Sequence, residues 1–141
     1  MNHLVFLDAQ AGELEKILSG VKTMLVKEFD FIHVPAHPVN PGDTLYFLRD
    51  KDDCAIRVKA TVVRTLPTTN HLGEGISQTL KEMQPKLQFT EDQFSCWSAK
   101  QQVLFVEFDS ARKIEAIQII LKNTANKSDW IAFKQFSIVT E

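Results

Sequence analysis

Glu13-Leu-Glu-Lys-Ile-Leu-Ser-Gly-Val-Lys-Thr-Met-Leu-Val-Lys27 changes its hydrophobic period part-way along, and that change decides the fold. Leu14, Ile17 and Leu18 recur at the spacing of one helical face, with Glu13, Glu15 and Lys16 on the other. Asp8 stands where it can cap the start, which predicts a helix over 9–19. Gly20 follows the last periodic residue, where a helix commonly ends in a left-handed position that glycine adopts without steric cost. Beyond it the period becomes two. Leu25 and Phe29 face one way and Met24 and Val26 the other, as in a strand. Lys22 therefore sits at a helix-to-strand junction, with its ammonium able to reach any cavity the junction frames.

Outward from this stretch, the chain alternates short strands with turns. His3 to Leu7 reads as a first strand feeding the helix. Pro35, Pro38 and Pro41 exclude a helix between residues 29 and 42, and Pro41-Gly42-Asp43 reads as a turn into a strand around Leu45 and Phe47. Ile56, Val58, Ala60 and Val62 alternate with Arg57, Lys59 and Thr61, the clearest strand in the sequence. Arg64 falls on the apolar side of that count, so the strand either bulges near Val63 or ends with Arg64 aimed into a cavity; the bulge is preferred. Ile76, Leu80, Met83 and Leu87 follow a helical spacing, and Pro85 weakens the last turn. Thr90-Glu-Asp-Gln93 fits a capping box for a short helix carrying Phe94 and Trp97 on one face. Residues 102–109, 113–121 and 130–139 read as closing strands, although a helix is open for the second. The whole predicts one α+β domain over 1–141, a small, partly open β-barrel of five to six strands with helices at its ends.

The 141 residues, 44% apolar and 24% charged, suit a chain that buries its own core. A net charge of −2 excludes a general polyanion-binding surface but leaves room for a local basic groove. Cys54 and Cys96 stand far apart and form neither a metal spacing nor a disulfide framework. His33 and His37 have the spacing of a helical metal pair, but Pro35 forbids the helix, so no metal is expected. No serine lies in a Gly-x-Ser-x-Gly elbow, and no glycine-rich phosphate loop is present. No cofactor follows. No apolar run is long enough for a signal core or a membrane span, so a cytoplasmic chain without a membrane partner is expected.

Gly20-Val21-Lys22-Thr23, after a short helix ending in Ile-Leu-Ser, resembles the opening of ASCH domains, members of the PUA-like superfamily. Their pattern is Gly-x-Lys-x-x-Glu-x-Arg. Gly20 and Lys22 match it, Leu25 stands at the glutamate position and Lys27 at the arginine position. Pro41 to Phe47 is similar to the family's Gly-Asp turn and second strand, 54–66 to its long third strand, and Trp97 with Val103 to Phe108 to its late tryptophan and strand. The resemblance spans roughly residues 10–121 and implies a PUA-like barrel that binds RNA or a nucleotide in a small cleft.

Lys22 is the first candidate for lining that cleft; the alternative is an exposed lysine beginning a strand. A lysine there can hold a phosphate, or act as a base if burial lowers its pKa. Lys27 keeps charge but lacks arginine's planar fork. Arg64 joins them if the strands are neighbours. Trp130, beside a polar loop, is the better candidate for a cleft wall, whereas Trp97 at helical spacing from Phe94 reads as core. The resemblance also implies a second activity, amidohydrolysis of N4-acylated cytidine. It would use Lys22 as the base, with Thr23 one step from the nucleophile position that Leu25 occupies and Glu82 or Glu74 as the carboxylate. A protein-interaction domain without a small ligand is the third reading.

Overall fold

The computed structural model describes residues 1–28, 39–50, 55–70, 75–119 and 130–133. Among them run β1 (Asn2–Phe6), α1 (Glu13–Leu18), β2 (Met24–Glu28), β3 (Thr44–Leu48), β4 (Ala55–Thr69), α2 (Gly75–Leu87), α3 (Glu91–Ser98), β5 (Gln102–Gln118) and β6 (Trp130–Phe133). The strands form one six-stranded sheet in the order β2-β5-β4-β3-β1-β6, curled into a half-barrel. Only β1 and β3 run parallel; the other described pairs are antiparallel. The expected small, partly open barrel with helices is therefore present. His33, His37, Cys54 and Glu74 lie outside the described residues.

The period-two alternation places side chains on two different cores. Leu25 of β2 joins Leu14, Ile17, Phe47, Val62 and Phe108, whereas Met24 and Val26 join Ile76, Leu80, Leu87 and Phe105 under α2. Likewise Val5 of β1 enters the first core, while Leu4 and Phe6 enter a third with Ile56 and Phe133. Strands covered on both faces read as apolar runs, which is why β1 shows no polar alternation.

β4 and β5 are the longest elements, and three register shifts let them curve. One falls between Val62 and Arg64, where the sequence predicts a bulge, and it leaves Arg64 on the exposed side. Another lies opposite Ser110, whose φ of 56° is a left-handed position on an extra residue of β5. The sequence reading breaks the chain there into two strands, 102–109 and 113–121. The structure instead carries one strand through the bulge to Gln118.

Helix α1 is shorter than predicted. Asp8 caps a turn, with its Oδ1 accepting from the N–H groups of Gln10 and Ala11, and the helix begins only at Glu13 after a left-handed Gly12. Gly20 ends it with φ 85°. In α3, Thr90 and Gln93 make the reciprocal capping-box bonds read from the sequence.

Candidate functional site

Lys22 is 1% exposed. Its Nζ donates to the Leu87 carbonyl at 2.6 Å, lies 3.3 Å from Glu13 Oε2 and stands 4.8 Å from the centre of the Phe89 ring. The junction thus supplies what the C-terminal end of α2 lacks, since the last carbonyls of any helix have no intrahelical donors. The Thr23 amide bonds the Lys86 carbonyl, Lys22 takes Leu87 and Lys16 Nζ takes Gln88 at 2.9 Å. Cations at a helix C-terminus also meet the negative end of its dipole. Burial pushes the Lys22 pKa below the ordinary lysine value, against the pull of Glu13.

Glu13 is the residue that sequence periodicity misplaces. Predicted on the polar face, it is 8% exposed, with Oε1 accepting from the Asp8 amide at 2.8 Å and Oε2 facing Lys22. A buried ammonium requires a counter-charge, and the first turn of α1 delivers it. The available signal was its position four residues before Ile17, which shares the buried side.

Beside this corner opens a cleft of about 880 Å³ between the ends of β1 and β2, the Asp8–Gln10 turn and α3, with Trp130 on its wall. Lys22 is not among the lining residues, but its two neighbours Glu13 and Phe89 are. Lys27, half-buried, lines the cleft with its Nζ 5.9 Å from the Trp130 ring centre, a cation over an aromatic face. Burial lowers its pKa, with Glu28 opposing. Trp97 lines the opposite side while also packing against the α2 core, so it is both core and wall. Lys100 closes the rim 3.4 Å from Glu28. Among the described residues, Asp8, Glu13, Glu28, Asp50 and Asp92 also line the cleft, so carboxylates there outnumber the two lysines.

Trp130 is held from behind. Its indole Nε1 donates to His3 Nδ1 at 3.1 Å, and His3 Nε2 meets Asp43 Oδ2 at 2.8 Å. The β1–β6 register sets Trp130 opposite Val5, which makes His3 a diagonal cross-strand neighbour. The sequence marks His3 only as a strand residue and Asp43 only as a turn residue, because nothing local announces a pairing 40 positions apart.

The remaining predicted residues stand elsewhere. Arg64 is 52% exposed at its side chain and pairs with Glu107, which also accepts from Lys86 Nζ at 2.8 Å; it does not line the cleft. Thr23 precedes β2 with its N–H and C=O bonded to Lys86 and Phe108, and is likewise not a lining residue. Glu82 lies exposed on α2, accepting from Gln78 at 3.3 Å. Leu25, at the position the amidohydrolase reading gives to a nucleophile, lines the cleft with an apolar side chain. Among the described residues, no three His, Cys, Asp or Glu side chains are grouped to hold a metal ion, and no helix is long and apolar enough to cross a membrane.

Solved structures with this arrangement decide the fold. An ASCH protein from Zymomonas mobilis superimposes with a TM-score of 0.60 at 10% identity, over 83% of this chain and 73% of that one. The fold is that of the ASCH domain. A tyrosine-to-phenylalanine mutant of that ASCH protein gives a TM-score of 0.62 at 9% identity, over 83% of this chain and 75% of its own. A serine-to-alanine mutant gives 0.62 at 10% identity, over 83% and 73%. No protein-family model and no curated protein sequence matches the chain. Within the ASCH fold, then, Lys22 is sealed beside the cleft, and the cations that line the cleft among the described residues are Lys27 and Lys100.

Proposed function

We propose that this chain binds RNA or a nucleotide by seating one base in the cleft against Trp130, with Lys27 beside it. The observation that carries this reading is the half-buried Lys27 ammonium over the Trp130 face in an open cleft. Aromatic faces stack any base, at about 1–3 kcal/mol each, and a neighbouring cation serves the attached phosphate. The carboxylates that line the cleft repel a polyphosphate, so phosphates lie outward at the Lys27 side and the base goes inward. Lys22 contributes from beneath by fixing Glu13, and Arg64 stands outside the contact.

Titration of short single-stranded RNA and of nucleoside monophosphates at low salt tests the reading. Binding should weaken with salt along a shallow slope, about one phosphate's worth, because few counterions are released. Trp130→Ala should remove most of it. Absence of binding by the unaltered protein to every RNA and nucleotide tried returns the chain to the interaction-domain reading. N4-acetylcytidine serves as a second probe, for the amidohydrolase reading. We expect no deacetylation, since Leu25 offers no hydroxyl at the cleft and attack on an amide needs a nucleophile within about 3 Å of its base.

A further inference from the structure

The side chain behind Trp130 carries a proton whose place the geometry determines. An indole nitrogen only donates, so His3 Nδ1, 3.1 Å from Trp130 Nε1, must present its lone pair. The imidazole proton therefore sits on Nε2 and is donated to Asp43 Oδ2 at 2.8 Å. His3 is completely buried, and nothing but this pair of bonds serves its two ring nitrogens among the described contacts. We infer that His3 is a positioning residue for the cleft: neutral, it anchors the Trp130 indole on the wall, and its protonation releases that anchor and weakens the seating of a base.

The physical reason is a donor conflict. An imidazolium has N–H on both nitrogens, and its Nδ1–H would point at the Trp130 Nε1–H, replacing a hydrogen bond with a repulsion. The groups that face His3 act in opposite senses. Asp43, preceding β3, favours the charged ring, whereas the Met1 amino group, 3.5 Å from Asp43, and Lys27 of β2 disfavour it. From β3 and β6 the register partners are the apolar Leu45 and Ala132. Burial is the largest influence and leaves the pKa below 6.5, so the neutral, anchoring form prevails at neutral pH. Lys27 Nζ stands 5.9 Å from the Trp130 ring centre, so an indole freed from His3 also shifts against the second group of the proposed contact. The effect on ligand rests on the function proposed above; the effect on Trp130 does not.

Indole N–H resonances in a ¹⁵N-correlated spectrum read the anchor directly, and the chain's two tryptophans provide their own control. Between about pH 8 and about pH 5, the Trp130 resonance (assigned by its loss in Trp130→Phe) should move along one curve with a midpoint below 6.5, and Trp97 should not follow it. His3→Gln, which cannot titrate, should abolish the movement. Because coupling is reciprocal, Trp130→Phe should raise the midpoint of the His3 ring itself, a measurement that stands if His3→Gln fails to fold. In parallel, adenosine and cytidine monophosphate affinities should fall with the same midpoint, up to about tenfold per pH unit below it, as the competent population shrinks. A Trp130 resonance that stays flat while His3 titrates, or a His3 midpoint unchanged in Trp130→Phe, overturns the anchor. Nucleotide binding that is independent of pH while the indole moves overturns the link to the cleft. Failure of every nucleotide to bind at any pH sinks the proposed function, and the indole titration then still decides the role of His3.

Discussion

Two lysines five residues apart on the same short stretch meet opposite fates. Lys22 is enclosed by Glu13, Phe89 and the Leu87 carbonyl at the end of α2, with its charge paired and its ammonium turned to protein. Lys27 stands at the open cleft, half-buried, with an aromatic face beside it. The contrast teaches that a lysine at the motif position and a lysine on the cleft wall are separate roles. The first ties α1 and β2 to α2 and holds Glu13 at the floor, and the second is left to meet whatever enters.

The largest effect should come from breaking the closed side. Lys22→Ala leaves the Glu13 carboxylate buried without its partner and the Leu87 carbonyl without its donor. A loss on the order of 3 kcal/mol in urea unfolding is expected. A double replacement, Glu13→Leu with Lys22→Met, should recover most of that, because removing both charges removes the unpaired one. If the single variant keeps its stability, the closed corner is not what holds α2 in place. Any loss of ligand in Lys22→Ala must accordingly be read against its folding.

On the open side, Trp130→Ala should lower the affinity for short single-stranded RNA by about 10-fold or more, the value of one stacked base. An unchanged affinity there, with the fold intact, removes Trp130 from the contact. A smaller effect is expected from Lys27→Gln: a few-fold loss, with the salt slope reduced by about 0.7, the share of one phosphate on a single strand. Arg64→Ala should do least. Its pair with Glu107 is exposed and Glu107 retains Lys86, so stability should change by less than about 1 kcal/mol and affinity not at all.

Acid should act through His3 as well as on the ligand. Its folded pKa lies below the unfolded value of 6.5, so the unfolded chain takes up the proton first as pH falls. The stability that the neutral ring contributes is fully present above about 6.5 and is lost as pH drops through the folded pKa. Urea midpoints should therefore decline from neutral pH towards about pH 5, and His3→Gln should flatten that part of the curve. A curve unchanged by the substitution would assign acid sensitivity to other groups.

Local chemistry by itself determined the helix stop at Gly20, the capping box at Thr90, the alternation of β2 and β4 and the bulge beside Val63. Each depends on residues within a few positions of one another, where steric and hydrogen-bonding rules act directly. The ASCH fold was legible for the same reason, through the order of those elements. Only the tertiary structure decided that Lys22 is sealed while Lys27 is open, that Glu13 turns inward, and that His3 and Asp43 stand behind Trp130. Lys22 meets Leu87 across 65 positions, His3 meets Asp43 across 40 and Trp130 across 127. The environment of a charge depends on what the rest of the chain brings around it, and neither period nor spacing records that.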